Sequence, residues 1–82
     1  MQPISAKDIK QAISLMESGL SFRMDQVARE FAEDALWLLK NDRFDAAVDE
    51  LCQAAAMCSE PISSKYLVEA RDLLAPDRIA SS

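Results

Sequence analysis

Two cysteines, Cys52 and Cys58, and two adjacent carboxylate pairs, Glu33 with Asp34 and Asp49 with Glu50, are the residues of this chain whose types could do chemistry. The chain has no histidine. The side chain that titrates nearest neutral pH is therefore missing, which excludes Ser-His, Cys-His and His-metal sites and leaves catalysis to carboxylates, Lys, Tyr or Cys. Neighbouring residues on a helix point about 100° apart, so neither carboxylate pair makes a shared acid–base site, and both read as solvated surface. The cysteines, on one expected helix, are separated by about 9 Å of rise and about 120° of rotation, too far for a mutual bridge. With no CxxC spacing they read as reduced thiols of a cytoplasmic protein rather than metal ligands. A Gly-rich phosphate loop, an EF-hand spacing and an ExxH pair are all missing from the sequence, so no metal and no cofactor is expected.

Binding is the better use of these residues. The 82-residue chain carries a net charge of −5 from 14 acids and 9 bases. Between Asp25 and Glu50 stand eight acids against Arg29, Lys40 and Arg43, and the remaining residues carry six of each sign. The excess is local, and it surrounds the single tryptophan, Trp37. Nucleic acid is not an expected ligand, because phosphate contact needs clustered Lys and Arg whereas here the bases are scattered and outnumbered. Attachment to an anionic membrane surface fails on the same sign of charge.

The elements that must position these residues are helical. One glycine and three prolines offer little turn chemistry for hairpins of strands, and half the residues are apolar, a globular composition. No apolar run approaches the roughly 18 to 20 residues that span a bilayer, and the first ten residues lack a signal-like apolar core, so the chain is expected to be soluble and unexported. Its length makes one domain near the size where burial only just exceeds chain entropy, which keeps a homodimer in view.

Four amphipathic periods follow, predicting an all-α fold, a small bundle of four short antiparallel helices at about 5–18, 22–40, 43–58 and 61–75. Residues 1–76 form the domain and 77–82 a frayed tail. Ser5 with Asp8 makes a capping-box pattern, Ile4 is placed to staple onto Ile9, and Gly19 is expected to end the first helix in the left-handed conformation after Ser18. Ile9, Ala12, Ile13 and Met16 are its core face. In the second helix Met24, Val27, Ala28, Phe31, Ala35, Leu38 and Leu39 form the apolar stripe. About 120° from Phe31, at the centre of that stripe, lies Trp37, on the flank of Glu30 and Asp34. Leu36 occupies another flank, so the helix end from Leu36 to Leu39 is apolar all round and calls for cover by several elements or another chain. Asn41 and Asp42 are expected to end the second helix, and Asp42 with Asp45 fits a cap for the third, whose stripe is Phe44, Val48, Leu51, Ala55 and Cys58, flanked by Ala47 and Ala54, with Asp45 and Asp49 on the solvent side. Pro61 suits the first turn of the fourth helix after cap candidates Ser59 and Glu60, with Ile62, Tyr66, Ala70, Leu73 and Leu74 buried and Pro76 as its stop.

From Phe44 onward the third helix resembles the second helix of a tetratricopeptide repeat, whose aromatic, Ala, Ile or Val, Leu and Ala positions are met by Phe44, Ala47, Val48, Leu51 and Ala54. The likeness, over residues 27–58 at most, covers a single helical hairpin. Asp34 and Ala35 stand where that family prefers Leu and Gly, and Pro61 comes two residues late. The resemblance implies protein or peptide binding.

The expected function is thus a non-enzymatic protein-interaction module: an adaptor, regulator or secretion-type chaperone whose partner is a basic surface or an amphipathic helix. Phe22, Glu30, Glu33, Asp34, Leu36 and Trp37 are the expected contact residues, with Asp45, Asp49 and Met57 further out. The rivals are a small thiol-dependent enzyme using Cys52 or Cys58 and an acidic inhibitor of a nucleic-acid-binding protein.

Overall fold

The computed structural model describes residues 5–75 and shows four helices, α1 (Ala6–Leu20), α2 (Gln26–Lys40), α3 (Phe44–Met57) and α4 (Pro61–Leu74). No strand is present among the described residues, and none of their helices is long and apolar enough to cross a membrane. The expected tail 77–82, the stop at Pro76 and the Ile4 staple lie outside the described residues.

The helices pack as two pairs. The short turn at Asn41–Arg43 folds α3 back antiparallel to α2, and these two share the largest interface, while α1 pairs with α4, the helix furthest from it in sequence. Gly19, near the end of α1, meets Tyr66, early in α4, so this pair is antiparallel too. Gly19 does not take the left-handed conformation expected of it; it sits inside a helix that runs on to Leu20. Its value is steric. A Cβ built there would stand 3.0 Å from the Tyr66 Cβ, so the bare backbone lets the two helices close.

Small residues dominate the interior. Ala28, Ala32 and Ala35 of α2 face inward with Leu39, and Ala47, Leu51 and Ala54 of α3 are likewise fully buried. The α2 stripe is therefore centred on Ala32 rather than Phe31: Phe31 and Leu38 are half-buried, and Val27, expected in the core, is exposed. In α4 the buried line is Ser63, Leu67, Ala70 and Leu74, one residue out of phase with the expected start at Ile62, which is also exposed. The buried Ser63 hydroxyl is satisfied, donating to the Arg23 carbonyl, so a polar residue takes the position without an orphaned group.

Caps fix the ends. The Ser5 hydroxyl accepts from the Asp8 N–H at 3.1 Å, as its spacing predicts. Helix α2 starts at Gln26, later than expected, after an extended stretch that closes on Asp25. Asp42 does not cap α3. It is the left-handed residue (φ 62°) that ends α2, with the Asp42 N–H on the Leu39 carbonyl at 3.3 Å and the Arg43 N–H on the Leu38 carbonyl at 2.9 Å. Those paired bonds are a Schellman motif with Asp where Gly is usual.

Asp25 holds no N–H of its own helix. Its carboxylate accepts the Ser59 N–H at 2.7 Å and the Ser59 hydroxyl at 2.8 and 3.0 Å, tying the α1–α2 loop to the α3–α4 loop. The Ser59 N–H above all, then its hydroxyl, lower the carboxyl below its usual range.

Three outcomes follow from this packing. Gly19→Val is expected to lower stability by about 1–3 kcal/mol through overpacking against Tyr66, read by denaturant melts. Asp42→Gly is expected to raise it by about 0.5 kcal/mol, the relief of left-handed strain exceeding the added freedom of the unfolded chain. A carboxylate lowered in the fold stabilises it above about pH 4 and loses that stabilisation as pH falls through the folded value. Asp25→Asn should therefore melt below the parent at neutral pH, with the gap narrowing through the acid limb.

Candidate functional site

The outer side of α2 carries the site. Trp37 is 60% exposed, so neither α1 nor α4 covers it. Glu33 and Asp34 stand one turn before it and Glu30 a further turn back, all three exposed. That placement follows from helical phase: once Ala28, Ala32, Ala35 and Leu39 face inward, residues 30, 33, 34 and 37 must face away.

Electrostatics sharpen this face. Of the three bases in the acidic stretch, Arg29 and Lys40 are both turned to α1. Arg29 donates to the Leu20 carbonyl at 3.1 Å and the Phe22 carbonyl at 3.2 Å, and Lys40 pairs with Glu17 at 3.4 Å. Glu30, Glu33 and Asp34 make no ion pair among the described residues. Glu30, Phe31, Glu33 and Asp34 line an open depression there. The arrangement offers a ligand carboxylate acceptors beside an apolar floor and an indole. It offers no nucleophile.

The other expected contact residues are dispersed. Leu36 is half-buried and packs on the core. Phe22 is exposed but lies before the start of α2, where its ring stacks on Tyr66 with centroids 5.6 Å apart; about 16 Å of helix separates that end from Trp37. Met57, also exposed, closes α3 and so stands level with the start of α2, away from Trp37. Asp45 and Asp49 are exposed on the first half of α3. Val27 was missed as a surface residue, because its size and spacing match the core stripe; the signal that separates it is the run of alanines one position on.

Cys52 and Cys58 are not bridged to each other, and both are half-buried. The Cys58 thiol donates to the Glu60 carbonyl at 3.7 Å. Among the described residues no group of three or more Cys, Asp and Glu side chains converges as a metal site would.

Fold and site together define a small all-α bundle with an acidic, tryptophan-bearing face. No family model, curated protein or solved structure matches the chain. Of the positions that carry the tetratricopeptide resemblance, Ala47, Val48, Leu51 and Ala54 are buried and Phe44 is half-buried.

In the dilute protein Trp37 is expected to emit at a red-shifted wavelength and to be quenched efficiently by acrylamide. Trp37→Ala is expected to cost less than about 1 kcal/mol of stability, as substitutions at the surface do. A blue-shifted, unquenchable emission would return Trp37 to a covered position.

Proposed function

We propose that this protein is a non-enzymatic interaction module that binds another protein through the outer face of α2, the partner contributing a basic surface or a basic amphipathic helix. The observation that carries this is the exposed Trp37 beside three carboxylates that make no ion pair among the described residues. A large aromatic in water is a favourable anchor for association, since its burial contributes heavily at interfaces. Unpaired acids around it add steering and specificity toward positive charge more than raw affinity. Adaptor, regulator and chaperone roles are all served by such a face, and a cytoplasmic setting suits two cysteines without CxxC spacing.

The test is affinity capture with the immobilised protein at low and high salt, followed by titration of the captured partner. Trp37→Ala is expected to weaken that partner by about 2 kcal/mol or more, near 30-fold in Kd, and Glu33→Lys with Asp34→Lys to remove its salt dependence. A partner held equally by all variants would overturn the assignment to α2. Loss of binding on thiol alkylation, with the Trp37 variant unaffected, would favour a role for Cys52 or Cys58 instead.

A further inference from the structure

Besides its acids and Trp37, the outer side of α2 carries a row of large apolar residues. Val27, Phe31 and Leu38 follow one another at steps of four and seven residues, and Asp34 fills the longer step. At about 100° per residue these four positions keep within about 60° of one another, a straight row about 16 Å long. Val27 is 45% exposed and Asp34 is exposed, while Phe31 and Leu38 are half-buried, each with one side packed on the core. The row stands on the side of the buried line away from Arg29 and Lys40, the two bases turned to α1, so it is turned away from α1 as well. Glu30 and Trp37 border it, about 80–100° further round the helix. Neither Glu30 nor Asp34 makes an ion pair among the described residues. Helix α3, the principal neighbour of α2, contributes no Lys or Arg. The remaining base of this hairpin, Arg43, belongs to the turn at the Leu38 end, where its N–H bonds the Leu38 carbonyl at 2.9 Å.

We infer that the partner lays a single basic amphipathic helix lengthwise along this row, seating apolar residues on Val27, Phe31 and Leu38 and a Lys or Arg against Glu30 and Asp34, with Trp37 against its side. The inference rests on the reading of α2 as the binding face and names the partner's conformation, which that reading leaves open between a helix and a basic surface. Charge selects the sign. The carboxylates in and beside the row attract cations, and the bases of α2 itself are engaged on its opposite flank. Shape selects the helix. A straight apolar row along a helix axis, at steps of three and four residues, is what the side-chain ridge of a second helix packs against. A flat basic surface is served by Glu30, Glu33, Asp34 and Trp37 alone and has no use for Val27. An extended peptide finds no strand edge to lengthen, because the backbone of α2 is bonded within its own helix. A second copy of this chain, packed α2 to α2 about a twofold axis through the row, would set Asp34 against its own equivalent.

The test is a ¹⁵N–¹H NMR titration of the full chain with a synthetic peptide of Leu at helical spacing on one face and Lys on the other. A control of the same composition is scrambled to destroy the period. The periodic peptide is expected to shift Val27, Phe31, Asp34, Trp37 and Leu38, and to bind at least about tenfold more tightly than the control. Val27→Ser and Asp34→Lys, both at exposed positions and checked for folding by circular dichroism, are each expected to weaken it about tenfold. Equal binding of the two peptides, with Asp34→Lys and Trp37→Ala weakening both and Val27→Ser neither, would overturn the helix while leaving α2 as a face for basic surfaces. Shifts confined to other helices, or none at all, would overturn both readings. Sedimentation showing a dimer that Val27→Ser dissociates would assign the row to self-association and overturn the proposal as well.

Discussion

Close approach of helix backbones through alanine and glycine is the constraint on which this bundle depends. Where Ala28, Ala32 and Ala35 meet Ala47 and Ala54, there is room for few large side chains, and those that are accommodated, Leu39 and Leu51, are fully or almost fully buried. Small residues let neighbouring helix axes approach toward the short end of the usual separation of about 8–10 Å. The corollary is geometric. Bulky apolar residues at the margins of such an interface are excluded from it, so Val27 and Trp37 on α2 and Ile62 on α4 are carried to the surface, while Phe31 and Tyr66 stay half-buried. The outer face of α2 is a product of that rule.

Polar contacts then lock the pairs together at one end. Asp25 grips Ser59, Ser63 is held by the Arg23 carbonyl, and Arg29 spans the Leu20 and Phe22 carbonyls. These bonds satisfy loop backbone that would otherwise need water, and they also consume charge. Arg29 is spent on carbonyls instead of on the carboxylates of its own helix, which leaves the outer side of α2 uniformly negative. Structural and binding roles are coupled through that one side chain.

The sequence made much of this legible. Four helices, their order and the Ser5 cap follow from periodicity and local capping chemistry, and the position of Trp37 off the core follows from helical phase alone; re-centring the stripe from Phe31 to Ala32 turns it still further from the interior. The phase errors at Val27 and Ile62 share one cause. Hydrophobic periodicity weights side chains by size, whereas a close-packed seam selects the smallest residue, so Ala32 and Ser63 won positions that Phe31 and Ile62 claimed. Gly19 departed from its expected role because a left-handed residue and a close-approach residue carry the same sequence signal, a glycine near a helix end, until the partner helix is known; Asp42 ends α2 as expected but does not cap α3. That α1 meets α4 was not legible at all, since an amphipathic pattern says which face is buried and nothing of what covers it.

The α1–α4 pairing has a consequence in time. During synthesis α1 emerges first, yet the helix that buries Ala12, Met16 and Gly19 is α4, some forty residues later, as the span from Arg23 to Ser63 measures. The hairpin α2–α3 is local and can close as soon as α3 has emerged, whereas α1 cannot find its partner until α4 follows. Chain topology of this kind slows the final step, because the loop must be closed before its contacts reward it. For that interval α1 presents an open apolar face, the window in which a nascent chain of this design is most exposed to chaperones or to aggregation.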